Sequence, residues 1–238
     1  MSETFIFLVF AYLAAIFATL AGFGSSTVLM PVSLMFMEFK TAIFFVSAFH
    51  LFNNLFKVQL FFKKLDYKLI GLFGVPSVLL TFLGANLIDV IPVDQIKRIL
   101  AVFLILYGAS ILGQASFVIK PTKHNAILGG ILSGFFAGLI GLGGAIRGMF
   151  LVTFNLPKEV YIATSAFIAF IIDITRVPTY FLLDFVTDKS DYILIPYLIL
   201  IAYLGVRTGK MLLKHVSHEK FKKIVAVGLI LAGLKFVF

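Results

Sequence analysis

The sequence predicts an all-α polytopic membrane protein made of two inverted repeats, each with one broken, re-entrant helical hairpin and about three spanning helices. Three observations carry this expectation. The chain of 238 residues is 61% hydrophobic and only 13% charged, against roughly 25% charged in a soluble domain. A glycine-rich break inside apolar sequence occurs twice, as Ala21-Gly22-Phe23-Gly24-Ser25-Ser26 and as Ile140-Gly141-Leu142-Gly143-Gly144. Loops in matching positions of the two halves also differ in charge character.

The elements follow in order. Residues 5–37 are apolar but interrupted at Gly22–Ser26. As one helix they would run roughly 50 Å, longer than a hydrocarbon core of about 30 Å, so a broken element folded back on itself fits better. Apolar runs follow at about 41–62, 68–90 and 95–112. The second half repeats the order, with a broken element near 124–155 and runs at 158–182, 191–213 and 220–237. Lys40 through Ser47-Ala48-Phe49 matches Lys158 through Ser165-Ala166-Phe167. The run Gln95-Ile96-Lys97-Arg98-Ile99 matches Lys220-Phe221-Lys222-Lys223-Ile224. A duplicated unit is expected, with residues 1–116 and 117–238 as its copies in one transmembrane domain.

Loop charge orients the halves. Lys63, Lys64 and Lys68 make one loop basic and therefore cytoplasmic. Its repeat partner carries Asp184, Asp188, Lys189 and Asp191 and is expected outside. Asp89 and Asp94 accompany Lys97 and Arg98, whereas the matching loop holds Lys210, Lys214, Lys220, Lys222 and Lys223. Equivalent loops on opposite sides require an odd number of crossings per half and put both termini outside. The start of the chain, Met1-Ser2-Glu3-Thr4, has no basic segment ahead of its apolar run and reads as mature sequence.

Composition narrows the function. The net charge of +9 sits in short loops between apolar runs, where it sets topology and does not signal nucleic acid. Cysteine is absent, which excludes a disulfide framework, thiol catalysis and a Cys-based metal site. No Gly-x-x-x-x-Gly-Lys-Ser/Thr loop is present for nucleotide-driven pumping. No cofactor or metal is called for.

The residues that bear chemistry cluster at the breaks. Gly22, Gly24, Gly141, Gly143 and Gly144 allow positive φ and close approach. Interrupted backbone at membrane depth must face protein or a water-filled cavity. A helix starting after such a break aims unpaired N–H groups into it, which suits an anion. Ser25, Ser26 and Thr27 add hydroxyls to the first break, and Arg147 adds a fork-shaped cation after the second. The alternatives are close helix packing for the glycines, and pairing with Asp173 or snorkelling for Arg147. His50, Asn53, Asn54 and Lys57 are spaced i, i+3, i+4, i+7 and share one helical face. Asn53 and Asn54 either line the site or hold the bundle together. His50 titrates near physiological pH and is a candidate proton carrier. Asp173 and Arg176, spaced i,i+3, form either a coupling element or a structural ion pair. Lys57, close to Lys63, is expected to snorkel to the cytoplasmic face.

These features resemble the sulfite exporter TauE/SafE family of membrane permeases over essentially the whole chain. The resemblance rests on the twofold glycine-rich break with Pro31 after the first copy. It also rests on Val46-Ser47-Ala48 with Thr164-Ser165-Ala166, and on Leu83-Gly84-Ala85 with Leu204-Gly205-Val206. The first copy has Gly-Phe-Gly-Ser-Ser where the family usually has a run of glycines, and the second has Phe150 in place of the proline. The resemblance implies movement of a small, often sulfur-containing anion such as sulfite or an organosulfonate.

The expected function is therefore a secondary transporter of a small anion, working by alternating access with the site between the breaks. An anion channel of the same architecture is the alternative. An intramembrane enzyme lacks support, since His50 is the one histidine clearly inside an apolar run. The expected partners are the anion, the lipid bilayer and a coupling ion, H⁺ or Na⁺, and the sequence is compatible with an oligomer. The expected location is a bacterial or archaeal inner membrane.

Overall fold

The computed structural model describes residues 2–21, 24–113 and 119–212, together with positions 226, 227, 230 and 234. Gly22 and most of the final apolar run, 220–237, fall outside the described residues. What is described is helical, with no strand among the described residues. Among the described residues five helices are long and apolar enough to cross a membrane, so the protein is an integral membrane protein.

The first broken element consists of α1 (Ser2–Ala21) and the short α2 (Ser26–Ser33). Helix α3 (Phe39–Phe61) follows. Next come α4 (Tyr67–Leu69), a π-helical turn (Ile70–Gly74) and α5 (Val75–Asn86), which continue one another as one apolar stretch. Helix α6 (Val93–Leu112) completes the first half. The second half has α7 (Lys123–Ile140), the short α8 (Gly143–Leu151), α9 (Lys158–Leu182) and α10 (Leu194–Leu212). Each broken element thus has a long arm and a short one. At 1.5 Å per residue, the 20 residues of α1 cover about 30 Å and the 8 of α2 about 12 Å.

The helices pack in pairs. Helix α1 lies along α10, and α7 lies along α5; α3 packs on α9; α10 also touches α3 as α5 touches α9. Exchanging residues 1–116 with 117–238 turns α1–α10 into α7–α5 and α3–α10 into α9–α5, and leaves α3–α9 as itself. Gly108 of α6 lies against Ile230, and a Cβ there would come within 2.6 Å of Ile230 Cγ1.

Hydrocarbon is as apolar as leucine, so close van der Waals contact and hydrogen bonds hold such helices together. The α5–α7 seam shows both. Gly130, Gly134 and Gly138 of α7 bring its backbone against Phe73, Ser77 and Thr81. The hydroxyls of Ser77 and Thr81 then donate across the seam to the carbonyls of Gly130 and Gly134, at 2.9 and 3.1 Å. In the α1–α10 seam Gly205 and Gly209 admit Ala15 and Thr19, and Tyr12 Oη bonds Thr208 Oγ1 at 2.8 Å. The apolar core between these seams includes Phe7, Phe45, Phe49, Leu29 and Met30. Tyr192, at a segment end, packs edge-on against Phe44.

Candidate functional site

The two breaks meet. Gly24 has φ of +95° and Gly141 has φ of +75°, a region that L side chains rarely adopt. At the second break the Gly141 and Leu142 amides bond back to Ala137 O at 3.1 Å and Phe136 O at 3.3 Å. The first of these is the bond of an αL-type helix ending, which positive φ at Gly141 permits. Ser133 Oγ donates to Gly143 O at 2.9 Å and fixes the start of α8. At the first break, a Cβ on Gly24 would lie 2.8 Å from His50 Nε2, 3.5 Å from Gly144 Cα and 3.6 Å from Arg147 Nη2. The bare backbone of Gly24 therefore sits at a junction of the second break, the α8 arginine and the α3 histidine.

Directly after Gly24 and on the helix of His50 lie buried polar atoms with no hydrogen-bond partner among the described residues. They are Ser25 Oγ, Ser26 Oγ and Thr27 Oγ1 at the start of α2, both side-chain polar atoms of Asn53, and Asn54 Oδ1. Such groups normally find hydrogen bonds when buried, and leaving one unmade costs about 1–3 kcal/mol. The Ser25 carbonyl accepts from Val28 N and Leu29 N and so begins α2. The first-turn amides of that helix face the same way as its positive dipole end.

Arg147 is 2% exposed. Its Nε–H donates to Ser165 Oγ at 3.0 Å. Among the described residues no carboxylate forms a salt bridge with it. The expected alternative of pairing with Asp173 is not what the structure has, because Asp173 is occupied elsewhere. His50 Nδ1–H donates to Asp173 Oδ2 at 2.8 Å, and Arg176 Nε–H donates to Oδ1 at 2.8 Å. Arg176 Nη1 also donates to Ala137 O at 3.0 Å, and Tyr180 Oη to Gly138 O. Ala137 O also accepts from the Gly141 amide, and Gly138 O is one of the last carbonyls of α7, so Arg176 and Tyr180 complete that helix end beside the break.

All four residues of the expected polar face of α3 are buried: His50, Asn53, Asn54 and Lys57. For Lys57 this is a correction. It is 3% exposed and does not snorkel to the aqueous face, because its position two turns beyond His50 turns its stem into the bundle. Asn54 Nδ2 donates to His50 O at 2.9 Å and lies 3.3 Å from Asp173 Oδ2.

Three participants went unrecognised from sequence. The sequence marks Ser165 only as part of a repeated motif and Ser133 not at all, while Tyr180 has one available signal: it follows Arg176 by four residues and shares its face. A separate cavity of ≈ 300 Å³ opens among Glu3, Phe7, Glu38, Thr41, Asp191 and Leu194. Its three carboxylates make it unsuited to an anion.

Spanning helices interrupted at paired glycine breaks, with cationic and hydroxylic groups buried between them, define a polytopic membrane permease. The family model for the sulfite exporter TauE/SafE matches residues 7–236. The chain belongs to that family, which is one of membrane transporters. No curated protein matches the chain.

Proposed function

We propose that this protein is a secondary transporter of a small sulfur-containing anion, held where the two glycine breaks meet and moved by alternating access. The observation that carries the reading is the set of buried polar atoms without a partner among the described residues, together with a buried arginine to which none of the described carboxylates is salt-bridged. Ser25, Ser26, Thr27 and Asn53 supply donors, and the α2 and α8 N-termini supply positive dipole ends. Arg147 spends one N–H on Ser165 and keeps the rest of its fork for a sulfite or sulfonate. Gly24 and Gly144 let the backbone approach the ligand. The glycine seams let helices slide without opening lipid-facing voids.

The topology proposed with this site is an inverted repeat of residues 1–116 and 117–238, with both termini outside. Its support is the charge reversal of matching loops and the self-mapping set of helix contacts. Each short arm, α2 or α8, is read as the returning limb of a re-entrant hairpin.

Flux into proteoliposomes tests the reading. Sulfite, thiosulfate and methanesulfonate are compared with acetate, using counterflow with saturable kinetics as the signature of a carrier. Ohmic current without counterflow overturns alternating access. Absence of flux for all three sulfur anions, with folded protein, overturns the substrate class.

A further inference from the structure

The anion cradle does not account for His50. This side chain is 2% exposed and lies at the junction, not behind it. Its two nitrogens have different surroundings. Nδ1 is 2.8 Å from Asp173 Oδ2, and the carboxylate is held on its other oxygen by Arg176. An ionised carboxylate only accepts, so Nδ1 carries its hydrogen and the neutral ring presents a lone pair at Nε2, with Asn54 Nδ2 at 3.3 Å from it. That nitrogen points at the Gly24 backbone, next to Arg147 Nη2.

The charges around the ring set a condition on a second proton. Among the described residues, Asp173 and Arg176 act on it from α9 and Arg147 from α8. Helices α1, α2 and α10, which also border α3, contribute none. Lys57 stands two turns along the same helix and is buried too. The cluster thus has three basic side chains to one carboxylate. Another positive charge at Nε2, beside Arg147, needs a negative charge in the same space, and the transported anion supplies it.

We infer that His50 takes up a proton at Nε2 together with the anion, so that the protein is a proton–anion symporter. The inference rests on the anion-transport reading above. The proton passes from water on the loading side to Nε2 and leaves to water on the release side. No bond other than N–H forms or breaks. Because coupling is reciprocal, the anion raises the proton affinity of His50 by the factor by which the proton raises anion affinity. Asp173 acts as a positioning residue, fixing which nitrogen takes up the proton.

Thiosulfate is the test substrate, since it does not itself titrate near neutral pH. Proteoliposomes containing pyranine are given an inward proton gradient at clamped potential, about pH 6 outside and about pH 8 inside. Uptake is expected to rise at least about fivefold over vesicles without a gradient, and thiosulfate entry to acidify the interior. In detergent, the thiosulfate Kd is expected to rise by up to about tenfold per pH unit on the alkaline side, the limit for one linked proton. His50→Gln is expected to slow transport and leave the residual uptake indifferent to the gradient. A protein retaining His50 alone (His124→Gln, His215→Gln, His218→Gln) is expected to keep coupling, and to lose it on carbethoxylation. Counterflow without internal acidification, a gradient-stimulated His50→Gln, or loss of coupling in the single-histidine protein overturns the inference. Absence of counterflow for sulfite, thiosulfate and methanesulfonate alike overturns the transport reading and the coupling with it.

Discussion

Replacing Arg147 by methionine separates a ligand-holding arginine from a structural one. A structural arginine in a membrane bundle is paired, and removing one partner of a buried pair costs about 3–5 kcal/mol because the other charge is stranded. Arg147 strands nothing of the kind: its one bond among the described residues is to Ser165 Oγ, a neutral hydroxyl. Holding an unmatched arginine at membrane depth costs about 2.5–3.5 kcal/mol on insertion scales. Methionine fills a similar, unbranched volume. The anion-free variant is therefore expected to be as stable as the parent, or up to about 3 kcal/mol more stable. Anion binding moves the other way. Two charge-assisted hydrogen bonds at about 1.5–3 kcal/mol each amount to at least about a hundredfold in Kd. The assay is thermal unfolding in detergent with and without sulfite, alongside direct binding. Asp173→Asn is the control, since it removes the carboxylate charge that His50 and Arg176 both bond and is expected to destabilise by several kcal/mol. Arg147→Met binding within threefold of the parent, or losing as much stability as Asp173→Asn, would refute the argument.

The hydroxyls of Ser25 and Thr27 are expected to behave like Arg147 on a smaller scale. Each to Ala removes an unpartnered buried oxygen, so anion-free stability holds or rises while affinity falls about tenfold, read by the same pair of measurements. Gly24→Ala forces a side chain into φ of +95° and against His50. Strain of roughly 1–2 kcal/mol and a sharp fall in counterflow are expected. Gly134→Leu drives a side chain into Ser77, where even a Cβ would be 2.6 Å from its Cα. It is expected to cost at least about 1–3 kcal/mol, seen as a lowered unfolding temperature without a change in pH dependence.

Much of this was readable from residue order, for identifiable reasons. Lipid tolerates no unsatisfied backbone, so glycines in apolar sequence announce a break wherever they stand. Helical periodicity put His50, Asn53, Asn54 and Lys57 on one face, and all four are buried there. What periodicity lacks is distance. His50 and Asp173 lie 123 positions apart, and nothing local pairs them; their meeting depends on how closely α3 packs on α9. The same holds for Arg176 and the Ala137 carbonyl, and for Arg147 and Ser165. Lys57 misled because proximity to Lys63 along the chain suggested an aqueous neighbour, while its helix carries it inward.

On the proposed repeat, the unequal chemistry of the two halves follows from the way they pack. With Ser47 opposite Ser165, His50, Asn53 and Asn54 of α3 stand opposite Ile168, Ile171 and Ile172 of α9. Asp173 and Arg176 likewise stand opposite Leu55 and Val58. With Gly24 opposite Gly143, Arg147 stands opposite Val28. No ionisable group at the junction is duplicated. Where a unit packs against its own copy, a charge near the meeting line faces its double. Two like charges at about 4 Å and an effective dielectric of about 20 repel by about 4 kcal/mol. Glycines bear duplication there and are duplicated; charges do not and are not. The negative ligand proposed above would therefore bridge hydroxyls of the first half and a guanidinium of the second. Its binding energy would depend on how the two halves are set against each other, which is the dependence an alternating-access carrier requires.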